Sequence, residues 1–180
     1  TGLEAGCADV YIITVGTPIL KPSLEPDLDY VRSATQAVGS VLKPGDLVIL
    51  RSTVPVGTAR NVEHIIREAN VDADFDVASN PEFLREGSAV IDFMEPDRIV
   101  FGYDDSQTLE ILNKIYEPWG CDKISVNTRT AEMIKYANNS LLATQISVTN
   151  ELANIVTNIE GIDISDVMEG VHLDKRWSPI

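Results

Sequence analysis

Basic and aromatic side chains are scarce in this 180-residue chain: Lys and Arg number 14 against 28 Asp and Glu, and Phe, Trp and Tyr together make 6%. The resulting formal charge is −14, with no run of Lys or Arg. That excludes a general nucleic-acid binder, because phosphate contacts need a basic face. Any phosphorylated ligand must then be held by a few local cations against the field of the whole chain. The two cysteines, Cys7 and Cys121, lie far apart with no Cys-x-x-Cys or Cys/His grouping. Neither a disulfide framework nor a metal site is expected, and a reducing cytoplasm is the simplest setting. Cys7 is read as a small buried residue rather than a nucleophile. His64 and His172 stand singly and read as surface or capping residues. No apolar stretch reaches the length of a membrane span, and no basic-then-apolar leader opens the chain, so no membrane partner is expected.

What the chain does have is aliphatic residues, within a hydrophobic fraction of 44%. A chain of this length buries roughly 70% of its unfolded surface, enough for one domain or one with a small annex. Short β-branched runs at 10–15, 46–51, 76–79 and 98–101, with a weaker one at 123–126, alternate with helical stretches at 27–42, 58–69 and 106–116. Such alternation marks parallel α/β units, and strands apolar throughout point to burial on both faces. The expected fold class is α/β, a partial Rossmann-like parallel sheet over residues 1–127.

The texture changes at Thr128. Residues 129–160 contain neither Gly nor Pro, which predicts one helix of about thirty residues, beyond the ordinary globular range. Ile134, Leu141, Val148 and Ile155 fall on one stripe of it, broadened by Leu152 and Ile159, while Lys135, Asn139, Leu142 and Ile146 fall on another. Two occupied faces predict a helix sandwiched between its own domain and a second body such as another subunit; burial inside one larger domain is the alternative. A short helix over 163–169 follows, and 128–180 reads as a connecting helix and the start of an α-helical central domain. The chain stops at Trp177-Ser178-Pro179-Ile180 as though cut.

Three segments lie where α/β folds place ligands, in loops after strand C-termini. Val15-Gly16-Thr17-Pro18 brings small residues and a hydroxyl, although alone it reads as a simple turn. In Arg51-Ser52-Thr53-Val54-Pro55-Val56-Gly57-Thr58, Thr58 reads as a helix N-cap, while Ser52 and Thr53 end an apolar strand and need partners. In Asn80-Pro81-Glu82-Phe83-Leu84-Arg85-Glu86-Gly87, Asn as N-cap with Pro behind it reads as a helix start. A helical turn there would set Glu82 and Glu86 on one face, either as general base and ligand anchor or, less favoured, as a metal site. Lys135 and Asn139 are four apart, either a donor pair for a developing alkoxide or a solvated face. Asp92, Glu95 and Asp97 around Pro96 read as an acidic turn.

Together these segments resemble the nucleotide-sugar dehydrogenase family, the UDP-glucose and GDP-mannose dehydrogenases. The matching stretches run in order from Val15-Gly16-Thr17-Pro18 through 52–58, 80–87, Pro96 to Val100 and Ala131-Glu132-Met133-Ile134-Lys135-Tyr136-Ala137 to Asn150-Glu151. The resemblance implies oxidation of a sugar C6 alcohol to a carboxylate with two NAD, through an aldehyde and a cysteine-bound thioester. UDP-glucose is the favoured substrate, with GDP-mannose or a UDP-N-acetyl sugar as alternatives. It implies that Glu82 is the base activating water, assisted by Thr53, and that Lys135 and Asn139 stabilise the oxyanion. Phe83, Leu84 and Arg85 would line the nucleotide-sugar site, and Thr17, Ser52 and Glu86 would border the cofactor. A homodimer through the long helix is expected. The family's Gly-x-Gly unit and its Gly-Gly-Ser-Cys segment have no counterpart here, so an internal piece of such an enzyme is expected, inactive by itself. The rival expectation is a stand-alone binding or dimerisation module that kept the fold without catalysis.

Overall fold

The computed structural model describes residues 8–177, without the side chain of Trp177. Cys7, expected to be buried, lies outside the described residues. Five strands form one sheet in the sequential order β1 (Val10–Ile13), β2 (Asp46–Leu50), β3 (Phe75–Ser79), β4 (Arg98–Gly102) and β5 (Asp122–Val126). Between them come α1 (Asp29–Gly39), α2 (Thr58–Ala69), α3 (Ala89–Met94) and α4 (Ser106–Ile115). Strands β1, β2 and β3 are parallel, and so are β4 and β5. The sheet is not parallel throughout: β3 and β4 meet antiparallel at the single pair Ser79 and Gly102.

Every residue of β2 is buried, because the middle of the sheet is covered on both faces, whereas the edge strands are not, with Ile12 of β1 and Ile124 of β5 exposed despite the expected two-sided burial. Val48 and Leu50 join Tyr11, Ile13 and Phe75 beneath Val31 and Val38 of α1 and Val62 and Ile66 of α2. Leu47 and Ile49 point the other way, to Ala78, Ile99 and Phe101 under Leu112 of α4 and Tyr116. This period-two division follows from the alternation of side chains along a strand. The helix expected over 27–42 is shorter, because Asp27 accepts the Asp29 amide ahead of the first turn, and the chain turns at Ser40 and Val41 after Gly39.

The fifth helix, α5 (Thr128–Val156), runs for 29 residues. Its first turns pack on the sheet at Gly102, where a Cβ would lie 2.5 Å from Ala131 Cβ and 3.0 Å from Thr128 Cα. The chain divides into two compact units between Tyr136 and Ala137, inside α5. The second unit contains the rest of α5, α6 (Ile164–His172) and a 3-10 turn (Lys175–Trp177). No described side chain of that unit is buried, and Leu141 is 71% exposed. Among the described residues no helix is long and apolar enough to cross a membrane.

Candidate functional site

The chain leaves β3 without forming a helix. Residues 80–85 are irregular, 86–88 form a turn with Gly87 at φ 89°, and α3 starts only at Ala89. Asn80 therefore does not act as an N-cap. It is fully buried, accepting at Oδ1 from Arg51 NH1 (2.6 Å) and Tyr116 OH (2.5 Å) and donating from Nδ2 to Val100 O (2.9 Å). Arg51 also donates to Tyr116 OH at 2.8 Å. Burial pushes the Tyr116 phenol up, opposed by the Arg51 charge. This network holds the end of β2 to the end of β3, a tertiary demand that overrides the local capping pattern.

With no helical turn at 82–86, the expected shared face of Glu82 and Glu86 does not exist. Glu86 is exposed in the turn, while Glu82 is half-buried. Glu82 Oε2 accepts the Leu84 amide at 2.6 Å and Oε1 lies 3.1 Å from Lys135 Nζ. Lys135, 6% exposed, also donates to the main-chain carbonyl of Glu82. Two cations stand over the Phe83 ring, the Arg98 guanidinium 4.0 Å and Lys135 Nζ 5.2 Å from its centre. Leu84 is half-buried. Arg85 is exposed and bound through Nε and NH2 to Asp92, which also accepts the Arg85 amide and the Ser88 hydroxyl. The bonds from the Arg85 guanidinium and amide hold the Asp92 carboxyl well below the usual carboxylate range. Asp92 thus belongs to α3 and to Arg85 rather than to an acidic turn at Pro96.

The two loops after β1 and β2 are stitched together. Thr17 Oγ1 donates to Thr53 O at 2.8 Å, and Ser52 Oγ donates to Val15 O at 2.7 Å. Gly16 leaves open space where a Cβ would stand. The Thr58 hydroxyl donates to Pro55 O, and the N-cap of α2 is Gly57 at φ 99°, correcting the expected capping role. The first-turn amides are capped instead from α5: Glu132 Oε2 accepts Gly57 N–H at 2.5 Å and Oε1 accepts Ala59 N–H at 2.7 Å. This capping role of Glu132 is not among the sequence expectations. The available signal was a helix start with no Ser, Thr, Asp or Asn before it, and an acidic residue three positions from Lys135.

The first unit thus brings together Glu82, Phe83 and Lys135 and, separately, Thr17, Ser52 and Thr53. Asn139 belongs to the second unit, where it is exposed. A cavity of about 160 Å³ is lined by Arg60, Glu63, Arg67, Asp76, Asp105 and Thr128 among others, and none of the expected site residues borders it. An oriented carboxylate beside a nearly buried ammonium can take a proton from a hydroxyl or water while the cation stabilises the oxyanion left behind.

Residues 3–120 match the model of the UDP-glucose/GDP-mannose dehydrogenase family, NAD binding domain, and residues 129–180 match that family's central domain. The chain is 43% identical over 174 residues to a UDP-glucose 6-dehydrogenase of Rhizobium meliloti (strain 1021), covering 94% of this chain and 40% of that protein. It superposes with TM-score 0.87 on a UDP-glucose dehydrogenase from the hyperthermophilic archaeon Pyrobaculum islandicum, at 42% identity over 93% of this chain and 39% of that one. A GDP-mannose dehydrogenase of Pseudomonas aeruginosa gives the same TM-score at 35% identity, over 94% of this chain and 40% of that one. The chain spans about two fifths of the length of the curated relatives it matches.

Proposed function

The chain belongs to the UDP-glucose/GDP-mannose dehydrogenase family, and on that premise we propose that it serves the NAD-dependent oxidation of a nucleotide-sugar C6 alcohol to the carboxylate, with UDP-glucose as substrate. The observation that carries this reading is the pair formed by Lys135 and Glu82 beyond the end of β3. Conversion of alcohol to acid removes two hydrides in succession and adds one water between them. Glu82, oriented by the Leu84 amide and Lys135, is the base that receives the proton of that water at Oε1 or Oε2, with Thr53 assisting. The Lys135 ammonium holds the negative oxygen of the alkoxide. Phe83, Leu84 and Arg85 line the nucleotide sugar.

NAD supplies the hydride acceptor when bound. The small stitched loops at Gly16-Thr17 and Ser52-Thr53, at strand carboxyl ends, fit the border of such a cofactor, and Glu86 is assigned to the same border. UDP-glucose is preferred over GDP-mannose because relatives named for it reach 45% identity while the GDP-mannose dehydrogenase stands at 35%. A cytoplasmic setting goes with this chemistry.

Calorimetric titration of the chain with UDP-glucose tests the reading. Binding is expected, weakened about tenfold or more by Lys135→Met. No heat with any nucleotide sugar at millimolar concentration overturns it. A second reading, a dimerisation module, draws on the exposed Leu141, Val148 and Ile155 of α5. A homodimer through that helix serves either reading. Light scattering should show mass rising with concentration and falling back in Val148→Lys.

A further inference from the structure

Glu132 is the one buried carboxylate whose two oxygens both accept from another element's main chain, among the described residues. At 2% exposure it is nearly out of water, and its bonds go to Gly57 and Ala59 at the start of α2. That helix has no capping side chain of its own, since Gly57 offers none and the Thr58 hydroxyl turns back to Pro55 O. The first-turn amides of a helix need an acceptor, and an anion suits them doubly because the helix dipole is positive there. Ligand phosphates commonly take such a position. Here a side chain of the protein already fills it.

The placement matters because of what lies on either side. Lys135 is three residues further along α5, so the turn that presents its ammonium to Glu82 also presents Glu132 to α2. The loop carrying Ser52 and Thr53 is strung between β2 and α2, held at one end by Ser52 on Val15 O and at the other by Glu132. We infer that Glu132 is a positioning residue of the nucleotide-sugar site, fixing the Ser52–Thr53 loop in register with the turn of α5 that carries Lys135. It touches no reacting atom; it sets the distance between groups that do. Burial raises its carboxyl above the ordinary glutamate value, and the two amides, with Arg129 and Arg60, oppose that rise without cancelling it.

The ligand arm of the test rests on the proposed function, so a second arm is independent of it. The chain, Glu132→Gln and Glu132→Met are compared for folding by circular dichroism, for the amide resonances of Gly57 and Ala59, and for the Lys135 ammonium resonance, identified by its loss in Lys135→Met. Affinity for UDP-glucose is measured in parallel. In folded variants the two amides and the Lys135 resonance should move, and the UDP-glucose Kd should rise about tenfold or more in the Met variant and less in Gln, which keeps one acceptor. Should Met prevent folding, the Gln variant carries the decision. A Lys135 resonance that stays in place in folded Glu132→Gln overturns the inference. Absence of UDP-glucose binding by the unaltered chain would count against the proposed function, while the Lys135 resonance still decides the role of Glu132.

Discussion

Lys135 Nζ stands 3.1 Å from Glu82 Oε1 and also donates to the carbonyl of the same residue, across 53 positions of sequence. The two side chains are 7% and 28% exposed. One partner is therefore nearly dry and the other partly hydrated, and the two should respond unequally to removal. A nearly buried ammonium left without its carboxylate keeps only neutral acceptors, whereas Glu82 left without Lys135 can take up water.

In a double-mutant cycle of Glu82→Gln and Lys135→Met, we expect a coupling of about 1–2 kcal/mol, below the range for fully buried pairs because Glu82 is partly solvated. Urea denaturation of the four proteins measures it. A coupling within error of zero would make the pair a surface contact in energetic terms.

Asn80 is fully buried with all its partners inside the protein. Asn80→Ala strands the Val100 carbonyl and removes an acceptor from Arg51, which should cost about 2–4 kcal/mol. Tyr116→Phe removes one hydroxyl and keeps the ring, so about 1–2 kcal/mol is expected. Thermal unfolding would contradict the account if the two variants lost equal stability.

Asp76 and Asp105 should titrate on opposite sides of an ordinary aspartate. Burial, then the Asp105 charge, raises Asp76. Burial also pushes Asp105 up, but the hydroxyl and amide of Thr108 more than offset it, and its carboxyl lies below the usual value. The stability Asp105 contributes is present above the unfolded value of about 3.9 and lost as pH falls through its folded pKa; that of Asp76 is present below about 3.9 and lost as pH rises through its folded pKa. Asp105→Asn keeps an effective N-cap and removes the charge. Carboxyl carbon resonances should then show the Asp76 midpoint moving down, and an unmoved midpoint would leave burial and the Asp74 charge as what raises it.

Gly102→Ala should destabilise by about 2–3 kcal/mol, since the new methyl meets Ala131 Cβ at 2.5 Å and the Thr128 and Ser79 main chains at 3.0 and 3.1 Å. Gly120→Ala, where a Cβ meets nothing within 4 Å, is the control and should change little. Equal melting temperatures for the two variants would show that α5 can move off the sheet at no cost.

The loop at 80–87 shows where local patterns stop being informative. Asn-Pro-Glu has every feature of a helix start within three residues, yet no helix starts there, whereas α2 runs over Thr58–Ala69 as the expected helical stretch did. The difference is that Asn80 has Arg51 and Tyr116 within reach, and a buried amide satisfied three times is held more firmly than one capping an exposed turn. Neither partner is near it in sequence, so no window around residue 80 contains the competing force. Glu132 was hidden for the same reason: its acceptors lie on one helix and its donors on another, 73 and 75 positions away.

The sequence by itself determined the strands and most helices, because period-two and period-3.6 apolar patterns, Gly turns and Pro breaks act between near neighbours. It also determined the family, since several quoted segments occur in one order. Only the tertiary structure decided that β4 runs against β3, that Glu82 pairs with Lys135 rather than sharing a helical face with Glu86, and that a carboxylate from α5 caps α2. These outcomes depend on which strand ends the sheet brings together. Desolvation then selects among polar partners that only folding places within reach.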